Sequence, residues 1–104
     1  MDDKFIRIVD MDITTKAVTV LDNESDYNIY INARWATNEQ ITALKHELQH
    51  INRGDFYRDA DIYEKETMSK EVQKVFLLPK NPTFQDLGRI MFELKYKSVG
   101  VCYV

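Results

Sequence analysis

The sequence predicts a compact α+β fold: a small three-stranded sheet, an amphipathic helix, a second helix rich in glutamate, and a C-terminal helix. Three observations predict it. Short β-rich and alternating runs occupy the first third of the chain. Apolar residues then recur at helical spacing between residues 37 and 53. Two prolines, Pro79 and Pro82, separate two further helical patterns.

The strands come first. Phe5–Val9 (FIRIV) and Ala17–Leu21 (AVTVL) are β-prone, and the polar stretch DMDITTK between them suits a hairpin connection. NIYINA, residues 28–33, alternates polar and apolar as a half-buried strand does. The first helix has a start and a stop. Thr37 is the expected N-cap, with Gln40 at capping-box spacing, and Gly54 follows Arg53 as the terminator. Between them Ile41, Leu44, Leu48 and Ile51 form one apolar stripe.

A second helix is expected from about residue 62 to 77, burying Met68, Val72, Val75 and Phe76. A third runs from Thr83 to about Lys97, with Thr83 and Asp86 in capping-box geometry. The tail VGVCYV is β-prone, either a last strand or a packed terminus. Neither a linker nor a repeat interrupts the chain, so residues 1–104 are read as a single domain.

Composition narrows the function. A net charge of −3 argues against direct nucleic-acid binding, which needs a dense basic surface. No apolar run approaches the roughly 18–20 residues that span a bilayer. The acidic start MDDKF and the lone Cys102, a small buried hydrophobe, fit a reducing, cytoplasmic location.

The chemistry concentrates in HELQH, residues 46–50, which holds both histidines of the chain. At roughly 100° per residue, His46 and His50 share one helix face, away from the apolar stripe. Two imidazoles at that spacing can bind one zinc ion at about 2.0–2.1 Å. Glu47 lies about 100° round the helix, poorly placed as a ligand but within reach of a water on the metal. It is the expected general base of this HExxH pattern. The alternative is a solvated helix face that binds no metal. With no third histidine, a downstream carboxylate must complete the site: Asp55, Asp59, Asp61, Glu64 or Glu66.

NIYINARWATNEQ leading into LKHELQHINRGDFY, then YEKET and FLLP, resembles the ImmA/IrrE family of small gluzincin metallopeptidases. The resemblance covers about residues 28–79. It implies a zincin-like fold, a Zn2+ cofactor and peptide-bond hydrolysis by zinc-activated water. Counting back from Pro79 in FLLP, it implies Glu66 as third ligand, although the face of the helix favours Glu64. The chain has ETMSKEVQKV where the family usually carries alanine and asparagine after the ligand.

The resemblance also implies a protein substrate, a helix-turn-helix repressor of a mobile element or stress regulon, reached in trans. NIYINA is then the expected edge strand, with Asn28, Ile29, Tyr30, Ile31 and Asn32 holding an extended peptide by main-chain hydrogen bonds. Arg34 and Trp35 either shape the cleft or brace the loop, and Tyr57 or Tyr63 is a candidate oxyanion donor. The rival reading is a zinc-bearing anti-repressor module that occupies its partner without cutting it.

Overall fold

A computed structural model describes residues 3–54, 74–79, 81–97 and 100–103. In chain order the elements are β1 (Lys4–Val9), β2 (Ala17–Leu21), β3 (Tyr27–Asn32), α1 (Thr37–Asn52), β4 (Lys74–Phe76), α2 (Phe84–Tyr96) and β5 (Val101–Tyr103). The strands form one mixed five-stranded sheet ordered β2-β3-β1-β5-β4. The architecture is α+β, with a larger sheet than the three strands expected.

The expected β1–β2 hairpin does not form. β3 inserts between the two strands, antiparallel to β2 and parallel to β1. The chain between β1 and β2 must therefore arch over the end of β3, and Asn32 holds that arch. Its fully buried amide donates to the carbonyls of Asp12 (2.9 Å) and Thr15 (2.7 Å). Its oxygen accepts from the backbone N–H groups of Met11 (3.3 Å) and Arg34 (3.0 Å). One amide thus satisfies four backbone groups that the crossover strips of ladder partners. Arg34 closes the arch with two hydrogen bonds to Asp10, 2.7 and 3.1 Å, and this guanidinium holds the Asp10 carboxyl below its usual range. The Trp35 indole N–H donates to the Ile13 carbonyl at 3.0 Å, so both residues brace the loop.

Both helices cover one face of the sheet. Ile6, Ile29, Ile31 and Val101 point to that face and pack with Ile41, Leu44 and Leu48 of α1 and Leu87, Ile90 and Leu94 of α2. Truncating such a residue, as in Leu44→Ala, costs about 2–5 kcal/mol. The alternate positions Phe5, Val20, Tyr30 and Cys102 point to the other face and are buried as well.

The ends of the helices divide between expectation and correction. α1 stops as expected. Gly54 adopts φ 71°, a left-handed conformation that suits glycine, and its N–H donates to the Ile51 carbonyl at 3.0 Å. At the other end the N-cap is Ala36, with no side-chain cap, and Thr37 is already helical. Gln40 makes no capping box. It is 1% exposed, and its amide donates to the Asn32 carbonyl at 2.9 Å, tying α1 to the end of β3. α2 has the expected cap. The Thr83 N–H donates to Asp86 Oδ2 at 2.9 Å, and the Asp86 N–H to Thr83 Oγ1 at 3.2 Å.

The helix expected over residues 62–77 is corrected at its end. Lys74–Phe76 is a strand, paired in parallel with β5. Valine and phenylalanine are β-prone, and pairing with the β5 tail outweighs the helical spacing of Val75 and Phe76. Residues 62–73 lie outside the described set. Among the described residues, no helix is long and apolar enough to cross a membrane.

Candidate metal centre

His46, Glu47 and His50 all lie in the second half of α1. The sequence places them there because Ile41, Leu44, Leu48 and Ile51 claim the core side, which turns positions 46 and 50 outward. The two rings meet edge to face with centroids 4.4 Å apart, and their Nε2 atoms are 2.9 Å apart. Two ligands on one tetrahedral zinc at about 2.0–2.1 Å stand roughly 3.3 Å from each other. The separation is a few tenths of an ångström short of that span, and both rings must also turn so that their Nε2 atoms, which face each other, aim at one ion. As a donor set, two imidazoles fit zinc.

Arg53 Nη2 lies 3.2 Å from His50 Nδ1, and because a guanidinium only donates, this contact suits a neutral His50 that accepts at Nδ1. Ligation through His50 Nε2 requires the tautomer with the proton on Nδ1, which this contact does not suit.

Glu47 lies about 100° round α1 from His46, on the side towards β2, and accepts a 2.6 Å hydrogen bond from the Thr19 hydroxyl. Strand alternation places Ala17, Thr19 and Leu21 on the helix-covered face, so Thr19 is the polar member of an inward-facing set. That out-of-pattern polarity is the signal that sequence reading missed. Beside this pair lies a pocket of about 310 Å³, lined by Lys16, Ala17, Glu39, Thr42, His46 and Glu47. Lys16 and Glu39 form an exposed 3.0 Å ion pair at its rim.

The edge strand next to this pocket is β2, not β3. β3 is paired along its length on both sides, so Asn28–Asn32 has no main-chain edge to offer a ligand. Its side chains are spent too. Ile29 and Ile31 are in the core, Asn32 holds the arch, and the Asn28 amide donates to Asp22 at 2.9 Å. The expected substrate contact at Asn28, Ile29, Tyr30, Ile31 and Asn32 is corrected accordingly.

On β2 the hydrogen bonds Asn32 N–H to Lys16 O and Asp22 N–H to Asp26 O fix the ladder phase. Lys16, Val18, Val20 and Asp22 bond towards β3, so Ala17, Thr19 and Leu21 direct their N–H and C=O groups outward. Among the described residues nothing pairs with that side.

The third-ligand candidates Glu64 and Glu66, with Asp55, Asp59 and Asp61, lie outside the described residues, as do Tyr57 and Tyr63. Among the described residues, carboxylates converge at Asp22, Glu24 and Asp26, with oxygens within 4.8 Å of one another. Asp22 Oδ1 there accepts the backbone N–H groups of Glu24 (2.9 Å) and Asp26 (3.1 Å), which accounts for the cluster as part of the β2–β3 turn. No protein-family model matches the chain, and no curated protein or solved structure is significantly similar to it.

Proposed function

We propose that the chain is a zinc metallopeptidase of the ImmA/IrrE type. The observation that carries this reading is the division of labour on α1. Two imidazoles converge on one exposed flank, while the intervening glutamate faces a pocket under an open strand edge. His46 and His50 would hold the ion, with Glu66 as third ligand and Glu64 as its alternative. Zinc, when bound, supplies Lewis acidity that lowers the pKa of a coordinated water towards about 7.

The chain's own residues do the rest. Glu47 takes the proton from the attacking water, and Thr19 orients its carboxylate. The outward N–H and C=O groups of Ala17 and Thr19 hold an extended peptide alongside β2, which places a peptide bond over the pocket. The proposed substrate is a cytoplasmic helix-turn-helix repressor, on the family resemblance of NIYINARWATNEQ, LKHELQHINRGDFY and FLLP.

The Thr19 bond also favours a second reading, a zinc-bearing binding module. In that reading the Thr19–Glu47 bond is a structural tie between β2 and α1, and Glu47 has no proton to take.

Elemental analysis of untagged protein, as purified and after chelation and reloading, tests the common premise. About one zinc per chain is expected, and its loss on His46→Ala or His50→Ala. Absence of stoichiometric metal under both conditions ends both readings.

A further inference from the structure

We infer that the pocket beside Ala17 takes one bulky apolar side chain, of the leucine or phenylalanine class, from the extended peptide held on β2. The inference rests on the proposed peptide edge and adds to it a rule of selection. The pocket lies where the outer margin of β2 meets α1. Lys16 and Ala17 supply its strand side, and Glu39, Thr42, Ala43 and His46 its helix side. The spacing of the last four, i, i+3, i+4 and i+7, is that of a single helix face.

The ladder phase decides which peptide residue enters. Ala17 directs its N–H and C=O outward, so in an antiparallel pairing one peptide residue exchanges both hydrogen bonds with it. Residues directly opposite each other share a face, and Ala17 packs towards the helices. The Cβ of that peptide residue therefore stands about 5 Å from the Ala17 Cβ, and its side chain extends over the flank of α1 into the pocket. Its two neighbours in the peptide point to the other face of the sheet. The next residue on the helix side, opposite Thr19, comes beside Glu47, so the selected residue lies two positions from the proposed base.

The lining sets the chemistry. Ala17, Thr42 and Ala43 are small, and the Thr42 hydroxyl turns back to its own helix, donating to the Asn38 carbonyl at 2.9 Å. What Thr42 offers a ligand is chiefly its methyl group. The charges at the rim are spent on each other. Lys16 Nζ stands 3.0 Å from Glu39 Oε1 and 4.6 Å from the centre of the Trp35 ring. A charged side chain would have to break that pair or lie unpaired against methyl groups, and either is costly. The volume of about 310 Å³ equals the liquid share of about ten waters, which is room for one large side chain.

Guest peptides test the inference on the full chain. The probes are labelled nine-residue peptides of threonine and serine with one central guest: leucine, phenylalanine, alanine, aspartate or lysine. Binding is read by fluorescence anisotropy and cleavage of the same peptides by mass spectrometry. The leucine and phenylalanine peptides should bind at least tenfold more tightly than the alanine peptide, the gain expected from burying a large apolar side chain. Ala43→Leu fills the pocket and should remove that preference while leaving the alanine peptide's affinity unchanged. Thr42→Leu, at an exposed position where the fold is not at stake, should do the same. An apolar preference that Ala43→Leu abolishes, with no peptide cut, would sink the peptidase reading and leave the pocket as assigned. Cleavage or binding indifferent to the guest, a preference for aspartate or lysine, a preference unchanged in both variants, or no measurable binding would overturn the inference.

Discussion

Thr19 on β2 donates a 2.6 Å hydrogen bond to Glu47 on α1, joining residues 28 apart in sequence. The bond ties the open sheet edge to the proposed base. Glu47→Gln should leave zinc bound and reduce peptide cleavage by about 100- to 10,000-fold, the usual contribution of a general base. Thr19→Val should lower kcat by roughly tenfold with little change in KM, because an unanchored carboxylate spends less time oriented. Thr19→Ser, which restores the hydroxyl, should recover most of that loss. A Glu47→Gln protein that still inactivates its partner, with the partner uncut, would favour the binding module.

Arg53 and His50 make a second relationship with a measurable consequence. The 3.2 Å contact suits the His50 tautomer whose Nε2 is protonated, and it keeps a positive charge beside the proposed metal position. Arg53→Ala should therefore tighten zinc binding, by roughly three- to tenfold, since removing an exposed charge near a cation is worth about 1 kcal/mol. Competition with a chromophoric chelator measures it. Unchanged or weaker affinity would show that the guanidinium does not oppose the ion.

The third ligand is open to direct comparison. Glu66→Ala should weaken zinc binding more than Glu64→Ala, following the FLLP register. The reverse order would mean that the helical face is the better guide. Small and equal effects would direct attention to Asp55, Asp59 and Asp61.

The two helix starts give a paired test of stability. Thr83→Ala removes a side chain that accepts a hydrogen bond from the Asp86 N–H, and should cost about 1 kcal/mol in chemical denaturation. Thr37→Ala should cost less, because Thr37 is already inside α1 and its hydroxyl caps nothing, accepting only an exposed hydrogen bond from Lys95. Equal losses would contradict the assignment of Ala36 as the N-cap.

Local chemistry made the helices readable. The stripe of Ile41, Leu44, Leu48 and Ile51 and the Gly54 stop depend on bonds between residues three or four apart, so the pattern and its cause lie in one short window. The Thr83–Asp86 box is equally local. The outward placement of His46 and His50 followed from the stripe alone. Strand order is another matter. Alternation in AVTVL and NIYINA says which side chains share a face, but it does not say which strand is the neighbour. Tertiary packing put β3 inside the sheet and left β2 at the edge. It also made a strand of Lys74–Phe76 by supplying β5 as a partner. Gln40 and Asn32 show the same limit, each drawn into the crossover by backbone groups far away in sequence. Thr19 met Glu47 for that reason as well: pairing across 28 residues is set by the fold's global packing, and no local window contains both partners.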